Sequence, residues 1–128
     1  MRRTDQRRAA TFACYQGDVT GEAKPGEALT PFARELAEGV EAHREELDRL
    51  ISDHAVGWEL SRIAPLERAI LRVALYEILH RPDVPDEVAI DEAIETAKTY
   101  CGADAPTFIN GILGGVMKGL SAGGRRPA

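Results

Sequence analysis

Residues 65–80 read PLERAILRVALYEILH and decide the fold. Pro65 suits the first position of a helix, where its missing N–H costs nothing. Two apolar rows at helical spacing follow it and face different ways: Leu66, Ala69, Ile70, Val73, Ala74 and Ile78 in one, and Leu71, Leu75 and Leu79 in the other. Because a helix that is apolar on nearly all sides must be covered by other elements, this segment is predicted to lie at the centre of the molecule.

Helical periodicity also covers most of the remaining chain. The predicted helices are residues 4–16, closed by Gly17; a long one from Thr30-Pro31 to about residue 54, with a kink near 39–43; residues 86–101; and residues 104–120. Residues 17–30 form a Gly/Pro-rich linker, and Pro82 and Pro85 separate two helices. No run of four or more residues alternates in the manner of a strand. The sequence therefore predicts an all-α helix bundle with antiparallel neighbours.

Size and composition exclude several classes of protein. The chain has 128 residues, of which 44% are hydrophobic and 29% charged, which leaves no room for a large multidomain enzyme. No apolar stretch is long enough to span a membrane. The basic start is not followed by the apolar segment of an export signal, so we expect a cytoplasmic protein with no membrane partner.

No residue pattern indicates catalysis, a cofactor or a metal. The histidines, His43, His54 and His80, share no ligand spacing. The cysteines Cys14 and Cys101 lie far apart and are expected to fill the core as small thiols. Gly114-Gly115 lacks the preceding strand and the following Lys-Ser/Thr of a phosphate loop, so close helix packing explains it better. We therefore predict no catalytic residue, no metal site and no cofactor.

The net charge of −5 conceals a basic end. Residues 1–16 contain four arginines against one aspartate, whereas residues 17–60 contain four basic and eleven acidic residues. On a helix, Arg3, Arg7 and Arg8 share one wide stripe, and Tyr15 lies two turns beyond Arg8. Cations beside an exposed aromatic ring suit single-stranded nucleic acid, because they neutralise phosphates while bases stack on the ring. Taken alone, the same residues also fit a solvated helix start.

A second unusual feature is Asn110-Gly111, which lies inside a helical pattern where both residues are unfavourable. Close packing at the glycine, or a hydrogen bond from Asn110 to another helix, would explain it.

Taken together, these segments resemble the NusB family of bacterial transcription antitermination factors. The resemblance rests on segments that occur in the family's order over nearly the whole chain: Arg7-x-x-Ala10 leading to Tyr15-Gln16-x-Asp18, Ile63-x-Pro65 through Glu77, Asp83-Val84-Pro85, Val88 to Ala93, Ala97-Lys98, and Phe108-Ile109-Asn110-Gly111-Ile112-Leu113.

The resemblance implies two small antiparallel helical bundles, about residues 1–55 and 58–121, within one domain of residues 1–121, and a disordered tail at 122–128. It implies a non-enzymatic protein that binds the single-stranded boxA RNA of nascent ribosomal transcripts together with NusE, a ribosomal small-subunit protein. The pair would act in the RNA polymerase antitermination complex and promote read-through. The implied NusE contact is Glu67. The implied RNA-binding residues are Arg2, Arg3, Arg7, Arg8, Tyr15, Tyr100, Asp104, Thr107 and Phe108.

Two departures from the family pattern bear on these expectations. Arg8 stands where relatives usually have Glu, which adds positive charge to the RNA side. The segment between Asp18 and Phe32 is short where relatives often have a second helix, so that helix is expected to be shortened or absent. Two alternatives stay open: a fragment equivalent to the RNA-binding domain of a ribosomal RNA cytosine methyltransferase, and a purely protein-binding bundle, suggested by the acidic 17–60 segment.

Overall fold

A computed structural model describes residues 2–21 and 29–122. No strand occurs in these two ranges, and the predicted all-α fold class is confirmed. The elements are α1 (Arg3–Thr20), α2 (Pro31–Ala42), α3 (Arg44–His54), a short 3₁₀ helix (Leu60–Arg62), α4 (Pro65–His80), α5 (Asp86–Tyr100) and α6 (Ala105–Ala122).

The fold is built around α4, as the two apolar rows of its sequence predict. Residues 69–79 are all buried, and α4 contacts each of the other five α-helices. The buried apolar residues form one continuous core that extends from Ala10 to Val116. A helix covered on every side joins the two halves of the chain through a shared interior. The division near residues 55–58 and the limits of the domain stay predictions.

The end of α1 differs from the predicted one. The helix continues through Gly17 and ends at Gly21, whose positive φ of 76° gives the left-handed turn that stops a helix. The cause is tertiary, because Asp18 forms ion pairs with Arg44, Arg68 and Arg72 at 2.7, 3.0 and 3.2 Å. These contacts hold the last turn in place. The predicted linker 17–30 is therefore helical up to residue 20.

Two sequence predictions concern residues outside the described ranges. The shortened or absent second helix falls mainly on residues 22–28. The disordered tail falls on residues 123–128, while residue 122, predicted to begin this tail, is the last residue of α6.

The long helix predicted from residue 31 to residue 54 is two helices, and the predicted kink is a break at His43. Thr30 caps α2 as predicted, because its Oγ1 accepts a hydrogen bond of 3.3 Å from the Ala33 N–H. The same hydroxyl donates to Gln6 Oε1 at 2.8 Å, which ties the start of α2 to α1.

Three glycines in the helices have different roles. A Cβ on Gly39 would lie 2.6 Å from the Tyr76 hydroxyl oxygen and closer still to the ring, so the glycine lets α2 approach α4. A Cβ on Gly115 would meet the His54 ring at 2.8 Å, so the close packing predicted for Gly114-Gly115 is confirmed at Gly115, whereas it is wrong at Gly114, where a Cβ would meet nothing within 4 Å. Gly111 faces open space and Asn110 is exposed. Close packing therefore does not account for Gly111.

Among residues 2–21 and 29–122, none of the helices has the length and apolar character needed to cross a membrane.

Candidate nucleic-acid interface

The start of α1 presents two exposed arginines. Arg2 precedes the helix and forms a surface ion pair of 3.6 Å with Asp5. The guanidinium carbon of Arg3 lies 3.8 Å from the centroid of the Phe32 ring on α2. Stacking orders a guanidinium without using its N–H donors, so Arg3 keeps donors for an anion in solvent.

Arg7 occupies a different environment from the one predicted. Its Nε donates to both carboxylate oxygens of Glu77 at 2.9 Å, and its side chain is 10% exposed. Burial raises the pKa of the Glu77 carboxyl, and the charge and hydrogen bond of Arg7 oppose that rise. The expectation that Arg7 lies in the same solvent-facing stripe as Arg3 and Arg8 is wrong, because Glu77 on α4 draws its side chain inward.

Arg8 lies beside an aromatic pair formed by Phe12 and Tyr100. Its guanidinium carbon is 5.5 Å from the Tyr100 ring centroid, and Phe12 meets the same ring edge-on at 5.0 Å. Tyr100 is 47% exposed, whereas Tyr15, predicted to be the exposed ring, is half-buried. The exposed aromatic surface near the basic helix is therefore centred on Tyr100. The Arg8 Nε is buried without a hydrogen-bond partner among the described residues.

A groove of about 390 Å³ lies at the turn that joins α5 to α6, and its lining begins at Gly102, two residues after Tyr100. The Trp58 and Phe108 rings meet edge-to-face at 6.2 Å on its wall. Its charged lining residues are Arg62, Glu67 and Asp104. The structure thus brings together two residues predicted to contact RNA, Asp104 and Phe108, and the one predicted to contact a protein partner, Glu67.

Glu67 is the half-buried acid of this groove. Burial raises the pKa of its carboxyl. The pKa of the Cys101 thiol is also raised, mainly by the burial of that thiol and to a smaller extent by the negative charge of Glu67. A carboxylate with few solvent contacts gains more from a cation placed against it than an exposed one does. Glu67 is therefore suited to a basic partner group.

Two groove residues escaped the sequence reasoning. They are Trp58, which is 53% exposed, and Arg62. The available signal was that Trp58 is the only tryptophan of the chain and follows a turn glycine. Tryptophan is enriched at interfaces because it joins a large apolar ring to an N–H donor.

Thr107 lies on the outer face of α6, together with Asn110 and Gly111, and all three are exposed. Their exposure places hydroxyl and amide groups next to the groove. This face combines hydrogen-bonding groups with the aromatic rings of Phe108 and Trp58.

The histidines are arranged differently from the prediction. His43 and His80 stack with ring centroids 3.9 Å apart, and Glu46 lies beside both. Their sequence spacing gave no sign of this cluster, because helix packing joins His80 to residues that are far away in the sequence, and the prediction of no metal site stays a prediction. His54 is elsewhere, with Nδ1 2.9 Å from the Leu50 carbonyl oxygen.

Comparisons with known proteins agree with this architecture. The NusB family model matches residues 4–118. A transcription antitermination protein NusB of Symbiobacterium thermophilum is 44% identical over 140 residues, covering 94% of this chain and 92% of that protein. A crystal structure of Thermotoga maritima NusB superposes with a TM-score of 0.79 at 33% identity, covering 92% of each chain. A structure of the antitermination factors NusB and NusE with double-stranded RNA shares the fold, with a TM-score of 0.79 at 22% identity over 91% of this chain and 96% of that one.

The fold and the basic and aromatic surface define a small all-helical protein of the kind that binds other macromolecules. The family match over residues 4–118 makes the assignment specific, and the chain belongs to the NusB family.

Proposed function

We propose that this protein is a transcription antitermination factor that binds single-stranded boxA-type RNA of nascent ribosomal transcripts together with NusE. It acts as a non-catalytic adaptor in the RNA polymerase antitermination complex and promotes read-through. The observation that carries the proposal is the exposed Tyr100 ring, which lies beside Arg8 of α1 and stands two residues before Gly102, where the lining of the Trp58–Phe108 groove begins. Family membership supports the partners, because a NusB structure of the same fold was solved with NusE and RNA.

The described surface supplies the three kinds of group that single-stranded RNA requires. Arg2, Arg3 and Arg8 provide positive charge for phosphates. Tyr100 and Trp58 provide exposed ring faces on which unstacked bases rest. The third kind, hydrogen-bonding groups for base edges, is provided by Asp104 and Thr107, and both are exposed.

The protein partner is assigned to the groove through Glu67. A ribosomal protein that binds RNA is expected to be basic, and a half-buried carboxylate is its natural complement. Because the groove also contains Asp104 and Phe108, NusE bound there would lie next to the RNA. We expect this proximity to let each partner strengthen the binding of the other through direct contact, with equal coupling in both directions.

The test of RNA binding is fluorescence anisotropy of a labelled boxA RNA, titrated with the protein in the presence and absence of NusE. Tyr100→Ala is expected to weaken RNA binding about tenfold, since stacking on a ring contributes about 1–3 kcal/mol per base. Thr99→Ala is the matched control, because Thr99 is the exposed neighbour on the same helix and its hydroxyl donates only to the Glu95 carbonyl oxygen. Equal losses in both variants, or in neither, would remove Tyr100 from the RNA surface.

The number of phosphate contacts follows from the salt dependence of the same titration. Four free arginines at the basic end of the chain would give a log–log slope of roughly −3, whereas the burial of Arg7 leaves Arg2, Arg3 and Arg8 and gives a slope of about −2. A flat salt response contradicts an electrostatic RNA surface.

NusE binding is measured separately by calorimetry. Glu67→Lys is expected to weaken it, and Asp53→Lys, an exposed charge reversal on α3 outside the groove, serves as the control. NusE binding without any binding of RNA favours the purely protein-binding bundle. Failure to bind either partner overturns the proposal.

A further inference from the structure

The stacked histidines lie where the α2–α3 break meets the end of α4. His80 Nε2 is 2.8 Å from Glu46 Oε1, and His43 Nδ1 is 3.8 Å from the same oxygen. The two nitrogens and the carboxylate oxygen all lie within 4.8 Å of one another. We propose that His43, Glu46 and His80 form a binding site for one divalent transition-metal ion of the Zn²⁺ type.

The donor set has the chemistry that such an ion requires. Imidazole nitrogens and a carboxylate oxygen are common zinc ligands, with two histidines and one acidic residue among the standard sets. The contact between His80 and Glu46, at 2.8 Å, would by itself be an ordinary hydrogen bond. The additional feature is His43, which lies three residues before Glu46 at the start of α3 and has Nδ1 3.8 Å from the same carboxylate oxygen. Two donors from the start of α3 and one from the end of α4 thus converge on one point.

Small side-chain rotations bring the donors to bonding distance. Ligands about 2.0–2.1 Å from a tetrahedral zinc ion lie about 3.3 Å from each other, so the present spacings must shorten by up to about 1.5 Å. The side chains of His43 and Glu46 are 41% and 45% exposed and are free to move toward His80. The ion must also lie in the plane of each ring, so binding separates the stacked imidazoles.

The surroundings favour a structural effect of the ion. Tyr76 packs against both imidazoles, with centroid distances of 5.9 Å to His43 and 5.5 Å to His80, and its hydroxyl donates to Glu35 rather than to the site. The bound ion would connect the corner between α2 and α3 to the end of α4, and water would fill the fourth position on the exposed side. The expected consequence is a clamp between the central helix and the N-terminal helices.

Zn²⁺ titration by calorimetry, on tag-free protein treated with EDTA, tests the proposal directly. One ion per chain is expected, with a rise in the thermal midpoint of about 5 °C or more at saturating Zn²⁺. His80→Asn and His43→Asn should each weaken Zn²⁺ binding at least about tenfold. Matched controls are His54→Asn, which removes the remaining histidine, and Glu45→Gln, the exposed acid next to Glu46; both should bind Zn²⁺ as the parent does.

Two further measurements identify the residues that bind the ion. In the parent protein, Zn²⁺ should shift the imidazole NMR resonances of His43 and His80 and leave those of His54 in place, and this result does not depend on any variant folding. Bound Co²⁺ should give a visible spectrum without the intense near-ultraviolet band of thiolate ligands. Absence of binding, unchanged affinity in His80→Asn, shifts confined to His54, or a thiolate band from Cys14 or Cys101 would each overturn the proposal.

Discussion

A variant of Arg7 can distinguish a role in stability from a role in RNA binding, because the Arg7 charge is expected to stabilise the fold by pairing with Glu77. Arg7→Met keeps a long side chain but removes the cation from Glu77, which is 1% exposed. Breaking a buried ion pair by removing one partner costs about 3–5 kcal/mol. We expect about 3 kcal/mol at pH 7, at the lower end, because Arg7 keeps some solvent contact and the charge of Arg81 also acts on Glu77.

The double variant Arg7→Met/Glu77→Leu is the matched control. It replaces the pair by two apolar side chains and leaves no uncompensated charge, so its stability is expected to lie within about 1 kcal/mol of the parent. Urea unfolding followed by circular dichroism measures both variants. With a slope near 2 kcal/mol/M, the single variant should unfold at a urea concentration lower by roughly 1.5 M.

The penalty should also depend on pH. In the folded protein, burial raises the pKa of Glu77 above 4.5, and the loss of Arg7 removes the cation that opposes this rise. A carboxyl whose pKa is raised in the folded state does not destabilise the fold below its unfolded-state pKa, and it destabilises the fold in full once the pH is above its folded-state pKa. The cost of Arg7→Met is therefore smallest near pH 4.5 and grows as the pH rises toward the folded-state pKa.

RNA binding by the double variant completes the test. If Arg7 acts through Glu77, the refolded surface should bind boxA RNA with the affinity and salt slope of the parent. The reasoning is refuted if Arg7→Met costs less than about 1 kcal/mol, or if the stable double variant loses RNA binding as strongly as Tyr100→Ala does.

Two further predictions concern packing and thiol chemistry. Gly39→Ala should destabilise the protein by about 1–3 kcal/mol, because its methyl group meets the Tyr76 ring. Gly114→Ala should stabilise it by up to about 1 kcal/mol, because a Cβ there meets nothing within 4 Å. Urea unfolding measures both variants, and equal stabilities would contradict this packing argument. Burial raises the pKa of the Cys14 thiol to about 12. At pH 8, mass spectrometry should therefore find Cys14 unmodified by a thiol reagent until urea unfolds the chain. Equal modification of Cys14 in the native and the unfolded protein would refute this prediction.

The sequence predicted those parts of the fold that local patterns determine. The apolar rows of α4 require cover on all sides, and the Thr30-Pro31 start of α2 is a local capping signal, so both could be inferred from neighbouring residues. The end of α1 could not. Gly17 is a good local terminator, but Asp18 forms ion pairs with arginines 26 to 54 residues away, and these tertiary contacts outweigh the local preference.

The same limit explains the incomplete prediction of the surface. A helical wheel places Arg7 beside Arg3 and Arg8, but it contains no information about Glu77 70 residues away. Tyr100 was reached only through the family resemblance, because its neighbours Arg8 and Phe12 lie on another helix. The groove joins a turn residue, Trp58, to α6, and no spacing rule relates them. Sites assembled by packing require the packing to be known.

The contacts of the individual arginines explain why the net charge does not describe the surface charge. Arg44 of α3 and Arg68 and Arg72 of α4 form ion pairs with Asp18 or Asp48. Internal pairing of this kind cancels in the total and contributes little field at the surface.

In contrast, neither Arg3 nor Arg8 forms an ion pair within residues 2–21 and 29–122, and each lies against an aromatic ring instead. A cation held by a ring keeps its charge available to a phosphate, whereas a cation paired with a largely buried carboxylate such as Asp18 does not. The surface proposed to bind RNA is therefore decided by what each arginine contacts, and a chain with a net charge of −5 can present a basic face at the start of α1.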